Sequence, residues 1–255
     1  MNTIKVLDHG FVKLRNLSGP VRRVLLDEED TFCLNGSGKY TDTTNIRDFD
    51  ADDTDPSITA RISFDNLDAE RTREQDLKLY EYLIANHHNT PVEMIEIWLE
   101  MKLPIFIARQ FVRHRTATIN EVSARYATLP EEWYIPEVVG GRAVSNKQGQ
   151  EDNLPTEVQR LFKADLDSYC ALSYKNYVDY LAQGVAPEHA RMFLHVNHYT
   201  HWIWKQDLSN MMHFLSLRLD SHAQIEARLY AQAIYDLLKQ YLPKSIELFD
   251  KYRRL

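Results

Sequence analysis

Cysteine is scarce in this chain of 255 residues, with only Cys33 and Cys170. Two thiols cannot build a disulfide framework, so a reducing cytoplasmic setting is the expectation. No apolar run approaches the roughly 20 residues needed to cross a bilayer, and no membrane partner is expected. The first ten residues lack the long apolar segment of a secretory signal. Tandem repeats are missing as well. Lys and Arg number 30 against 37 Asp and Glu, leaving a formal net charge of −7. A domain-wide basic footprint is therefore absent, which argues against nucleic acid as a partner.

What is present describes an ordinary soluble protein: 44% hydrophobic and 26% charged residues, enough to bury one core. The expectation is a single domain over 1–255 with two loops. Residues 27–57 are acidic and rich in turn formers, and read as an exposed insertion. Residues 140–155 hold Gly140-Gly141 and a polar run, and read as a second loop.

Between the loops the pattern is mixed. Two short β pieces flank the turn at Asp8 within 3–14. Thr72 and Gln75 have capping-box chemistry and open a helix to about Asn86, with Leu77, Tyr80 and Ile84 on one face. Residues 94–101 alternate as a strand, and Pro104 suits the first turn of a helix running into Arg115. Long helices are expected at 155–183 and 222–241. The second is opened by a capping box from Ser221 to Gln224 and carries Ile225, Leu229, Ala233 and Leu237 inward. Residues 196–204 are rich in β-formers. A helix over 208–218 buries Leu208, Met211, Met212 and Leu215.

One stretch stands apart. Residues 109–126 carry Arg109, Arg113, Arg115 and Arg125 against one acid, Glu121, a local balance of +3 in an acidic chain. Arginine forks suit phosphate oxygens. On the expected helix, Gln110, Arg113 and His114 share a face. On an extended continuation, Glu121, Ser123 and Arg125 point to one side. A solvated polar helix face is the plainer account of the first set, but two aligned sets suit a nucleotide monophosphate.

The order of these residues resembles the flavin-dependent thymidylate synthases. Their Arg-His-Arg, seven residues, Ser signature stands here as Arg113-His114-Arg115 followed by Ser123. Residues 104–110 before it, and Asn120, Glu121, Ala124, Arg125 and Tyr126 around the serine, also follow the family. Near the C-terminus, Leu217-Arg218-Leu219-Asp220-Ser221-His222-Ala223-Gln224 repeats another family run. Its arginine contacts the pyrimidine; without the resemblance, Arg218 reads as a helix C-terminal cation. Arg191 matches a family arginine on the nucleotide. Residues 87–93 resemble the family's His-x-Thr-Pro segment, and the same residues make a capping box from Thr90 to Glu93 that needs no ligand. A short match at 60–63 is weaker. The resemblance covers 58–240.

The resemblance implies an α+β fold, a central mostly antiparallel sheet flanked by helices. It implies a homotetramer whose sites draw on several subunits; the expectation drawn from this is that Arg191 and the 113–125 segment serve one site from different chains. FAD is the implied cofactor, NADPH and methylenetetrahydrofolate are co-substrates, and dUMP is methylated to dTMP. Gln110, Arg113, Glu121, Val122, Ser123, Ala124, Arg125, Arg191 and Arg218 would hold dUMP, with Arg218 catalytic. His88, Thr90, Arg113, His114, Arg115, Glu121, Asp207, Ser209, His213 and His222 would line the flavin. Thr118, Asp207, Ser209 and His213 stand where some members carry Ser, Asn, Arg and Asn. Neither cysteine lies in a nucleophile motif, as the family requires none. His195, His198 and His201 are spaced to invite a metal, but on a strand they point to opposite faces, so no metal is expected. Two alternatives stay open: a hydroxymethyl-transferring relative, and a nucleic-acid-binding module using residues 109–125.

Overall fold

Alternating apolar residues build the sheet at the centre of the computed structural model, which describes residues 2–20, 51–66, 70–143, 150–151 and 154–254. Strands β1 (Thr3–Val6), β2 (Gly10–Ser18), β3 (Glu96–Pro104), β4 (Thr118–Glu121) and β7 (Tyr199–Asp207) pair in the order β1-β2-β3-β7-β4. Every neighbouring pair is antiparallel. Ile97, Leu99, Met101 and Leu103 alternate inward, facing Trp202 and Trp204 on β7. A bulge between Leu14 and Asn16 turns Leu17 inward although it lies three residues beyond Leu14. The outer face carries charge instead, where Glu100 meets Arg15 at 3.2 Å and His201 at 3.0 Å.

Helices cover the inner face. α3 (Ile105–Phe111), α6 (Leu208–Arg218) and α7 (Ile225–Tyr241) lie over it, and α8 (Pro243–Tyr252) packs on α7 and on α2 (Arg73–Ala85). Both halves of the Thr72–Gln75 capping box form at the start of α2, and Tyr80 and Ile84 are buried as the spacing requires. α6 buries Leu208, Met211, Met212 and Leu215. The longest helix among the described residues, α4 (Thr156–Ala182), buries only Cys170 and Tyr177.

Several expectations need correction. Residues 51–57 are not an exposed insertion; 27–50 lie outside the described residues. Asp53, Thr54, Asp55 and Ser57 are buried, and α1 (Asp55–Ala60) begins there. The reason is a cap supplied at long range. The Asp53 carboxylate accepts from the backbone N–H of Lys244 at 2.9 Å and of Ser245 at 2.8 Å, and from the Ser245 hydroxyl at 2.6 Å. These are first-turn donors of α8, which otherwise lack partners and favour a negative charge. The 140–155 loop contains a short ladder, β5 (Gly141–Arg142) with β6 (Gln150–Glu151); 144–149 and 152–153 lie outside the described residues.

Strand boundaries also move. Val92–Met94 form a 3-10 turn before β3, and β7 starts three residues later than the β-rich run, because His198 N–H closes a turn on the His195 carbonyl at 3.0 Å. The capping boxes from Ser221 to Gln224 and from Thr90 to Glu93 do not form; Gln224 and Pro91 stand at the N-caps without a side-chain bond. Asp220 accepts instead from the His222 N–H at 2.7 Å, tying Ser221 into a tight turn. On α7, Ala233 and Leu237 are buried, but Ile225 and Leu229 are exposed while Ala227, Tyr230, Ile234 and Leu238 face inward.

The Asp53 cap gives a direct test. Asp53→Ala leaves the α8 donors unpaired in a buried place and is expected to cost about 2 kcal/mol, lowering the thermal midpoint by roughly 4–8 °C. A shift under 1 °C by calorimetry would show that water replaces the carboxylate.

Candidate active site

Strand β3 runs into α3 without a loop. Pro104 is the last strand residue and also the helix N-cap, one position before the first turn where the sequence suggested it. The first helical N–H groups, of Ile105 and Phe106, donate to the carbonyls of His198 at 3.0 Å and Val196 at 2.8 Å. The far end differs more. α3 stops at Phe111, and Arg113, His114 and Arg115 occupy a turn rather than a helix face. The chain must reverse there so that Thr118 can pair with Lys205, and Gln206 Nε2 holds Thr116 Oγ1 at 2.9 Å to fix the reversal.

That turn delivers His114 to Arg218, which sits in the last turn of α6. Arg218 Nε donates to His114 Nε2 at 3.2 Å, and its Nη2 donates to the Gln110 carbonyl at 3.2 Å. The Gln110 side-chain amide donates in turn to Gln224 Oε1 at 2.6 Å. His114 rests edge-on against Phe214, 4.9 Å between centroids, with His213 6.3 Å away. Burial, then the Arg218 and His213 charges, push the His114 imidazole down to about 4. It is therefore neutral at pH 7, with Nε2 bare as an acceptor and its proton on Nδ1. Burial also lowers the Arg218 guanidinium, which stays charged at pH 7.

A second group lies beyond β4. Glu121, Ser123 and Arg125 do not alternate on one strand, since β4 ends at Glu121 and Ser123 starts a turn. The Ser123 carbonyl accepts from Tyr126 N–H at 2.9 Å, and its hydroxyl accepts from Arg125 N–H at 3.3 Å. Ser123 is favoured there for its local acceptor. Val122 N–H donates to the His201 carbonyl at 2.8 Å, Ala124 is buried, and Glu121 accepts from Thr200 Oγ1. Arg125 lies 3.8 Å from Glu188 on α5 (Pro187–Ala190), and Arg191 follows in the next turn. Arg125 and Arg191 are thus on neighbouring segments of this chain.

The remaining candidate flavin residues fall in three places. His88 stacks on Tyr82 at 6.1 Å, and Thr90 is exposed in the same turn. Ser209 and His213 are one turn apart on α6, so they share a face, while both oxygens of Asp207 hold Asn210 as the helix cap, at 2.8 and 2.6 Å. His222 is exposed against Asp220. Among the described residues, no hydrogen bond or ring contact joins His88 to the Arg218 group. The donor chemistry fits a dinucleotide: Arg109, Arg113, Arg115 and Arg191 are exposed and make no ion pair among the described residues. Unpaired guanidinium forks suit pyrophosphate and monophosphate oxygens.

Gln224, Thr200 and Glu188 were not singled out as site residues by the sequence. Each binds a residue that was. Gln224 left a signal as the last residue of the run from Leu217, and Glu188 stands in the run of residues 185–190 that leads into Arg191. Cys170 is buried beside Asn197, and burial raises its thiol, so it is a poor nucleophile; Cys33 lies outside the described residues. His198 is buried, His201 bonds Glu100, and His195 is exposed.

The family model described as thymidylate synthase complementing protein matches residues 46–244. The chain belongs to the flavin-dependent thymidylate synthase family. Similar relatives carrying that description include one from Rickettsia typhi, 38% identical, with 98% of this chain and 79% of that one aligned. Another, from Wolbachia pipientis, is 40% identical over 91% and 82%. Among solved structures, a UMP/dUMP methylase PolB from Streptomyces cacaoi bound with 5-Br dUMP superposes with a TM-score of 0.77, at 22% identity over 99% of each chain. At that identity the likeness shows the fold. Family membership makes this chain a methyltransferase-class, flavin-dependent enzyme of thymidylate synthesis.

The buried histidines set an acid limit. His114 and His198 both ionise near 4 in the folded chain against 6.5 ordinarily, burial being the main cause for each. The unfolded chain binds those protons first, so their contribution is complete above pH 6.5 and is lost as pH falls toward 4. Thermal midpoints are expected to drop across that window, and His114→Asn should flatten the drop. An unchanged slope in that variant would mean His114 titrates normally.

Proposed function

We propose that the enzyme methylates dUMP to dTMP, with FAD as its flavin, methylenetetrahydrofolate as carbon donor and NADPH as reductant. One observation carries the reading. Arg218 is half-buried, and both of its hydrogen-bond partners among the described residues are neutral: an imidazole nitrogen and a backbone carbonyl. A fixed cation without a carboxylate keeps its charge for a ligand, and suits the negative charge that develops on a uracil edge when C5 is activated. The bound flavin supplies hydride chemistry that no side chain here can supply.

The chain's own residues then hold and orient. Arg113, Ser123, Arg125 and Arg191 bind the nucleotide phosphate, and Gln110, Glu121, Val122 and Ala124 complete its contacts. Neutral His114 keeps Arg218 pointed at the base. His88, Thr90, Arg113, His114, Arg115, Glu121, Asp207, Ser209, His213 and His222 surround the flavin, the arginines meeting its pyrophosphate. Proximity of this kind lowers barriers chiefly by removing orientational freedom. The enzyme is a cytoplasmic homotetramer in this reading. An apolar stripe supports self-association: Val158, Leu161, Phe162, Tyr169 and Leu172 stand exposed at helical spacing on α4.

Product identification tests the chemistry. Anaerobic incubation with FAD, NADPH, methylenetetrahydrofolate and dUMP is expected to yield the dTMP mass, dependent on every component and lost in Arg218→Ala. A hydroxymethyl nucleotide would change the reaction assigned; unchanged dUMP with flavin bound would overturn it.

The two arginine groups suit a site shared between subunits, one contributing Arg218 and the other Arg125. Arg218→Ala and Arg125→Ala subunits, each inactive alone, are then expected to regain up to about a quarter of the activity when refolded together, as random pairing rebuilds one intact combination in four. No recovery in a mixed tetramer would place both groups in one subunit.

A further inference from the structure

The segment after α2 is clamped from two sides, and only one clamp belongs to α2. On the near side the helix closes in a Schellman motif. His88 N–H reaches back to the Leu83 carbonyl at 2.9 Å, His87 N–H reaches Ile84 at 3.2 Å, and His87 takes the left-handed conformation with φ 58°. His88 then leans on Tyr82. On the far side, the Asn89 carbonyl accepts from Val92 N–H at 2.8 Å and Glu93 N–H at 3.0 Å, opening the turn before β3. The Asn89 side chain is held from the other end of the sequence. Arg253, at the C-cap of α8, donates from Nη2 to Asn89 Oδ1 at 2.7 Å.

Arg253 is unusual among the arginines. Burial lowers its guanidinium, its Nε is buried with no hydrogen-bond partner, and it makes no ion pair among the described residues. Keeping a guanidinium half-buried on one neutral acceptor is costly. Its backbone is anchored by the N–H of Arg253 on the Phe249 carbonyl at 2.9 Å, and Phe249 is fully buried. The guanidinium is therefore held by the core and reaches outward to the turn that carries His88 and Thr90.

We propose that Arg253 is a positioning residue for the flavin site: through Asn89 it fixes the turn that presents His88 and Thr90 to the cofactor. The proposal rests on the reading that these two residues meet the flavin. Asn89 is the joint, because its carbonyl sets the turn into β3 while its side chain receives Arg253. The Arg218 and Arg125 groups lie on other elements, so nucleotide affinity does not depend on this contact.

The test is a double-mutant cycle on FAD affinity in the full-length enzyme, read by quenching of flavin fluorescence, with dUMP affinity and thermal midpoint measured beside it. Arg253→Ala and Asn89→Ala are each expected to weaken FAD by about tenfold, the loss of one charge-assisted hydrogen bond. The double variant should weaken it no further than either single one, since both remove the same contact. Dissociation of dUMP should stay within twofold. Arg253→Gln, which retains an amide donor, serves if the alanine variant does not fold, with an intermediate loss expected. Additive losses, equal losses for dUMP and FAD, or unchanged FAD affinity would each overturn the proposal. His88→Ala separates the two levels. If it weakens FAD while Arg253→Ala does not, positioning fails and the flavin reading survives; if neither weakens FAD, both fail.

Discussion

Phe111, Trp204 and Phe214 form the contact on which the candidate site depends. Phe111 and Phe214 meet edge to face at 4.8 Å, and Trp204 stands 4.9 Å from Phe214. These three rings come from α3, β7 and α6, so their packing fixes the end of one helix against the side of another over a central strand. Aromatic pairs in such geometry add stability beyond burial of area. His114 lies on the same Phe214 ring. The polar contact from His114 to Arg218 is thus an outgrowth of the apolar core, and the guanidinium inherits the rigidity of the rings beneath it.

Charge is distributed unevenly for a reason visible in the partners. Many of the acids of this net-negative chain are engaged internally. Asp53 caps α8, Asp76 holds Arg61 at 3.0 Å and Arg71 at 3.3 Å, and Glu100 faces Arg15 and His201. Among the described residues, the arginines around 109–115 make no ion pair with an acid. An overall count of charge would describe this protein as repelling anions. Its local field does the opposite, because interaction falls off within about 8–10 Å at physiological salt.

Much of the architecture was legible in the residues. The β3 alternation, the β-rich run of β7, the Thr72 capping box and the buried stripe of α6 are local patterns, and each element forms there, with the two strands starting two and three residues late. The run from Arg113 to Arg125 picks out the residues of the candidate site but implied a different backbone. The end of α3 at Phe111 and the turn at Ser123 are decided by nonlocal partners, Gln206 for Thr116 and His201 for Val122. No window of sequence contains both members of either pair. Asp53 is the same case at greater range, an acid in a polar stretch whose partners lie 191 and 192 residues away. The capping box at Ser221 fails because α7 begins only after Gln224, whose side-chain oxygen accepts from Gln110 instead.

The direct passage from β3 into α3 has a consequence for how the chain can vary. With Pro104 serving both elements, there is no slack between the sheet register and His114. Each residue of a helix turns the chain by about 100° and advances it about 1.5 Å. One residue gained or lost between Pro104 and Phe111 would swing Phe111 out of its rings and carry Gln110 and His114 away from Arg218. Chain length here is quantised by geometry, and natural variation in length is free to accumulate only outside this span.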